Sequence, residues 1–214
     1  MKKLKVSLVL NLLNIIFGTT TFTIRFILHG TEKLFYYYTR DSSFFLLVAT
    51  IIMFIFELLY VYKKKEISKW VYSLKFTAVG LSTLTFLMCV FVLGPVLSKT
   101  MGYKGAYGFL FLYNECFFEH FLCPLLGFVS FMFFENEFKM NIKDSIFALS
   151  PTILYGVVVL ILVGVHLIEA PYFFFDIYNQ PVYSIVLWLV CIVAFVFSLY
   201  LLLALINNKR IKKE

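Results

Sequence analysis

The chain has 214 residues, 62% of them hydrophobic and 14% charged. A soluble domain of this length has too little interior to hide so much apolar surface, which excludes the soluble enzyme classes. The net charge of +7 does not indicate a nucleic-acid partner, because the lysines sit in short loops and tails, where membrane proteins use them to set topology.

The apolar runs are continuous and not alternating, which predicts helices and not a β-barrel. Six spans can be drawn in one domain, residues 1–214, at about 6–28, 39–62, 71–93, 106–134, 147–168 and 183–206. This is an all-α polytopic bundle, since only helices satisfy their own backbone polar groups within one segment in lipid. No small-x-small cleavage site follows the first span, so it reads as a retained helix ending at His29.

The second span opens with "YYYTRDSS". Thr39, Ser42 and Ser43 stand there at i, i+3 and i+4, on one helix face. Either Thr39 or Asp41 would serve as an N-cap without any chemistry. A threonine hydroxyl becomes a nucleophile only with a base in reach.

The loop at 94–105 leads into the fourth span, the richest in polar groups: "YNECFFEHFLCPLLGF". Asn114, Glu115, Glu119 and His120 lie inside an apolar run, where ionisable groups are costly and mark function by default. Helical spacing aligns Tyr113, Cys116, His120, Cys123 and Gly127 in one stripe, with Glu115 and Glu119 paired on a neighbouring face. Pro124 has no N–H for the His120 carbonyl and predicts a kink. His120 is the best base available to Thr39; the bland alternative is a histidine hydrogen-bonded across helices.

His166 ends the fifth span and, like His29, reads as an interfacial residue; no HxxxH or HxH spacing supports a metal site. The loop "EAPYFFFDIYNQP" follows. It is either an aromatic belt with a turn or a rim over a pocket, with Asp176 orienting a base or fixing the loop. The cysteines Cys89, Cys116, Cys123 and Cys191 fall inside spans without CxxC or zinc spacing and read as packing residues.

Thirteen cations (Lys2, Lys3, Lys5, Lys63, Lys64, Lys65, Lys69, Lys139, Lys143, Lys209, Arg210, Lys212, Lys213) fall on one side of these spans. Four (Lys33, Arg40, Lys99, Lys104) fall on the other, with Arg25 and Lys75 just inside span ends. The asymmetry predicts that both termini are cytoplasmic.

Three segments together resemble one family: "YYYTRDSS", "EHFLCPLLGF" and "APYFFFD", in that order. The family is the androgen-induced multi-pass membrane hydrolases, the threonine hydrolases of fatty-acid esters of hydroxy fatty acids, with their bacterial membrane relatives. The resemblance implies a six-helix bundle with Thr39 as nucleophile and His120 as base, and it matches Asp176 to an acidic position without an assigned role. Ser43 stands where bacterial relatives often carry Asn, and the Arg40–Asp41 pair is more charged than usual there.

The expected function is therefore an intramembrane lipid ester hydrolase in a bacterial plasma membrane. Its partners would be a lipid ester substrate and the surrounding lipids; no cofactor, metal or nucleic acid is expected, and no oligomeric state is implied. Ser42, Asn114 and the first amides of the second helix are the candidate oxyanion donors. The rival is a non-enzymatic lipid- or solute-binding protein or a proton-linked transporter, with Glu115, Glu119 and His120 as a relay. One geometric condition attaches to the hydrolase. His120 lies roughly 20 Å along its span at 1.5 Å per residue, whereas Thr39 lies at the start of its own. The two meet only if the second helix starts deep or "SKTMGYKGAYG" carries the fourth helix above the lipid.

Overall fold

A computed structural model describes residues 2–31 and 35–211. Lys33, Lys212 and Lys213, counted in the orientation argument, lie outside the described residues, as does the His29 side chain. All regular structure among the described residues is helical: α1 (Lys2–His29), α2 (Tyr38–Lys63), α3 (Lys69–Met88), α4 (Gly94–Leu112), α5 (Cys123–Phe134), α6 (Ile142–Ala148), α7 (Ser150–Gly164) and α8 (Val182–Ile211). Five stretches are long and apolar enough to cross a membrane, Lys69–Leu112 and Ile142–Gly164 counting as one each, and Phe118–Phe134 is a shorter apolar helix. This is the architecture of a helical membrane protein.

α1 shows why these helices associate. Its buried residues include Ser7, Asn11, Asn14, Thr21 and Arg25, while Val9, Leu12 and Ile16 are exposed. The polar stripe faces the bundle and the apolar stripe faces outward, because without water between helices, packing and interhelical hydrogen bonds hold them together. α1 runs antiparallel to α5: Asn11 meets Ser130 at 3.3 Å, Asn14 Nδ2 donates to the Cys123 carbonyl at 3.1 Å, and Phe17 stacks on Phe118. α2 packs against α1 through Leu47 at Gly18 and against α3 through Ser42 and Thr85, whose hydroxyls lie 2.7 Å apart. α8 closes on α3 where the Tyr200 ring packs directly against Gly80 and its hydroxyl donates to the Thr77 carbonyl at 2.9 Å. Ser7 reaches Glu135, and Asn208 accepts from the Met140 amide, so both chain ends sit at one end of the bundle.

Two departures from the expected spans position the site. Residues 94–105 are not an open loop. α3 continues through a π-helical turn, Cys89–Leu93, into α4, and the chain reverses at Gly102 (φ 69°, ψ 162°), a conformation open in practice to glycine alone. The returning half folds back along α3. The Tyr107 hydroxyl bonds the Val90 carbonyl at 2.7 Å, its ring lies against Gly94, and Phe111 reaches Phe86.

The expected 106–134 helix is also broken. Tyr113 is extended and Asn114 has φ 44°, so the chain steps aside before descending again. The kink expected from Pro124 takes the form of a second π-helical turn, Phe118–Leu122, in which the Cys123 N–H bonds the Phe118 carbonyl five residues back. The wider turn absorbs the donor that proline lacks. The single stripe from Tyr113 to Gly127 therefore does not exist as a straight helix face.

Candidate functional site

α2 begins at Tyr38 after the extended Tyr37, with no side-chain cap bond, so neither Thr39 nor Asp41 is the cap. Both lie inside the first turn, where the Asp41 carboxylate suits the positive end of the helix dipole. The cap is dispensable because Arg40 and Asp41 donate their amides to the Tyr37 carbonyl. Thr39 is thus free of the capping role that the sequence alone would favour.

Thr39 lines an apolar cavity of about 220 Å³ between α2, α3, α7 and α8, walled by Met88, Leu160, Phe174 and Ile192. A larger groove of about 1120 Å³ runs alongside, lined by Asp41, Ser42, Phe45, Leu154 and Val158. Tyr38 and Tyr155 border both spaces, their rings 5.2 Å apart. The Tyr38 and Thr152 hydroxyls meet at 2.8 Å, and the Tyr155 hydroxyl donates to the Tyr36 carbonyl at 3.1 Å.

One group here carries no sequence signal of its own. Tyr172, in the loop after α7, lines the same cavity, and its hydroxyl is buried without a hydrogen-bond partner. It faces the backbone and side chain of Thr39 short of good bonding geometry, and burial holds it well above the ordinary tyrosine range. Its ring is clasped between Phe174 and Tyr37. With 14 tyrosines in the chain, many of them explicable as interfacial, only its place two residues after Glu169–Ala170 in "EAPYFFFD" hinted at it.

His120 is buried in the second π-helical turn. Its Nδ1 lies 2.6 Å from the Leu110 carbonyl, an acceptor, so Nδ1 carries the proton and Nε2 the lone pair. Glu119 Oε2 lies 3.9 Å from that Nε2, and Glu119 Oε1 has no hydrogen-bond partner. Around them Arg25 Nη1 donates to Glu115 at 2.6 Å, and Arg40 stacks over Tyr37 at 4.7 Å, so two buried cations balance two buried carboxylates.

Depth is not the obstacle. The Ser43 hydroxyl points at the Glu119 carbonyl from 3.5 Å; Thr39 stands one turn from Ser43, about 6 Å along the axis. The fold-back of α4 and the break at Asn114 bring His120 to this end of the bundle. Among the described residues, however, Thr39 and His120 share neither a hydrogen bond nor a cavity.

The remaining candidates separate. Ser42 is engaged with the Thr39 carbonyl at 2.9 Å and with Thr85, which leaves it no proton for a substrate. Asn114 is exposed in its turn and borders neither Thr39 cavity. Asp176 neither touches Thr39 nor orients a base: it accepts from the Asn179 backbone at 3.2 Å and side chain at 2.9 Å, fixing an exposed turn. His166 stacks on Tyr178 beside it. No group of three or more metal-ligating side chains occurs among the described residues.

Comparisons with protein-family models, with curated proteins and with solved structures found no match to this chain.

Proposed function

We propose that the protein is an intramembrane lipid ester hydrolase with Thr39 as nucleophile. The observation that carries this reading is the pairing of Thr39 with the unpartnered Tyr172 hydroxyl at the wall of an apolar cavity. An acyl chain suits the cavity and its neighbouring groove, and an ester carbonyl at Thr39 would give the Tyr172 hydroxyl the acceptor it lacks. The resemblance of "YYYTRDSS", "EHFLCPLLGF" and "APYFFFD" to the threonine hydrolases supports the same assignment.

In the proposed reaction Thr39 Oγ attacks the carbonyl carbon and gives its proton to His120 Nε2, a transfer that requires the two side chains to close on each other when the ester binds. Tyr172 donates to the oxyanion that forms. The C–O bond to the alcohol then breaks, and the leaving oxygen takes the proton from His120. Water attacks the acyl-threonine, releasing a fatty acid and restoring the hydroxyl. The apolar walls keep bulk water from the intermediate. Fatty-acid esters of hydroxy fatty acids are the substrate class that the resemblance suggests, and a bacterial plasma membrane the location.

A second reading, lipid binding without chemistry, is favoured by the missing contact between Thr39 and His120. Labelling with a fluorophosphonate probe separates the two. The hydrolase reading expects the purified protein to label and Thr39→Ala not to. A wild type that binds a fluorescent fatty-acid ester but never labels establishes the second reading instead.

A further inference from the structure

At the opposite end of the bundle from Thr39 lies a second polar cluster, fully enclosed. Ser7 and Asn11 from α1, Glu57 and Thr50 from α2, Lys75 from α3, and Ser130 and Glu135 from the end of α5 are all at most 3% exposed. Lys75 Nζ donates to Asn11 Oδ1 and to Thr50 Oγ1, each at 2.8 Å, and stands 4.0 Å from Glu135. The ammonium fixes which way the Asn11 amide points. Its Nδ2 then donates to Glu57 Oε2 at 3.0 Å and to Glu135 Oε1 at 2.9 Å, which uses both of its hydrogens.

The Ser7 hydroxyl lies between the same two carboxyls, bonded to Glu57 Oε1 and 3.1 Å from Glu135 Oε1. A hydroxyl has one hydrogen. If both carboxyls were ionised, one of these oxygen–oxygen contacts would hold no proton, and two buried carboxylates would face one ammonium. We infer that Glu57, Ser7 and Glu135 form a proton-binding site, with one exchangeable proton held across the two carboxyls. The proton resides on Glu57, which donates it to Ser7 Oγ, while Ser7 donates to Glu135. Glu135 keeps its charge because it already accepts from Asn11 and Ser130 and lies beside Lys75. The cluster is then neutral, and Glu135 Oε2, buried and without a partner, is the open position for a second proton.

The other charged groups around it are engaged elsewhere or exposed. On α3, Tyr72 donates to Glu137 at 2.8 Å and Lys69 pairs with Asp144 of α6 at 3.0 Å. On α8, Arg210 lies over the Phe133 ring, and on α1, Lys3 is exposed. The site shares no residue with the Thr39 cavity and does not depend on the hydrolase reading.

Infrared spectroscopy of the full chain in lipid nanodiscs tests this through the carbonyl band of a protonated carboxylic acid. The wild type at neutral pH should show the band, and it should exchange with deuterium. Glu57→Gln should remove the Glu57 contribution, and Lys75→Met, which deletes the only cation inside the cluster, should roughly double the band by letting both carboxyls hold protons. Should Glu57→Gln fail to fold, Ser7→Ala serves: loss of the bridging hydroxyl should move the band. A wild type without the band overturns the inference, as does a band that Glu57→Gln, or Ser7→Ala in its place, leaves unchanged.

Discussion

A threonine hydroxyl has no nucleophilic strength of its own, so its neighbours decide what Thr39 can do. It has an apolar cavity on one side and the Tyr172 hydroxyl across from it. If Tyr172 donates to the oxyanion, Tyr172→Phe should lower kcat by about a hundredfold with KM nearly unchanged, since only the transition state carries the charge. A rise in KM with kcat nearly unchanged would assign Tyr172 to substrate packing instead. His120→Ala should cost about 10²- to 10⁴-fold in the labelling rate if the imidazole is the base. A full labelling rate in His120→Ala would remove it from the chemistry. That variant also loses the bond to Leu110, so its thermal unfolding should be compared with that of Phe111→Leu, which removes the ring packed edge-on against His120 at 6.4 Å and keeps the imidazole.

At the scale of elements, the site rests on the fold-back of α4. A Cβ on Gly94 would stand 2.5 Å from the Tyr107 ring. Gly94→Ala should therefore push Tyr107 off the Val90 carbonyl, loosen residues 103–112 and, through Leu110, release the His120 ring. Tyr107→Phe keeps the ring and loses only the hydrogen bond, about 1 kcal/mol. The expected order of labelling rates is wild type, then Tyr107→Phe, then Gly94→Ala; if Gly94→Ala labels as fast as wild type, the fold-back does not position His120. Gly80→Ala is the control for packing alone, since it would collide with Tyr200 and leave the Tyr107 contact at Gly94 untouched, and it should cost about 1–3 kcal/mol in unfolding without a matching loss of rate.

These elements also show what a sequence exposes. Hydropathy delimits α1, α2 and α8, because run length is a local property. It does not reveal the reversal at Gly102 or the step at Asn114, which depend on single residues with positive φ. The stripe of Ser7, Asn11, Asn14, Thr21 and Arg25 repeats at helical spacing and was visible in the first span, and Glu57 and Glu135 are carboxyls within or at the end of spans. Reading polar residues as the inward face would have found the second cluster. Tyr172 could not have been singled out among so many tyrosines without the loop that folds it onto Thr39.

The whole molecule separates two polar centres by the length of a bundle with an apolar outer surface. The helix contacts place both chain ends, and the turns after α2 and α5, at the end that holds Glu57 and Lys75. Among the described residues that end carries Lys2, Lys3, Lys5, Lys63, Lys64, Lys65, Lys69, Lys139, Lys143, Lys209 and Arg210, whereas the Thr39 end carries Lys99 and Lys104 beyond its buried arginines. Basic loops stay on the cytoplasmic side because moving them across the bilayer is opposed. We therefore expect the Thr39 cavity to lie toward the outer leaflet and the proton site toward the cytoplasm. Single cysteines at Lys65 and at Lys104, in a chain whose four native cysteines are replaced by alanine, test this with a membrane-impermeant maleimide on intact cells. Lys104→Cys should react from outside, and Lys65→Cys only after the cells are opened. Reaction of Lys65→Cys on intact cells would invert the topology, turning the Thr39 cavity toward the cytoplasmic leaflet and the proton site outward. Both sites would keep their chemistry, but each would draw substrate or protons from the other face of the membrane.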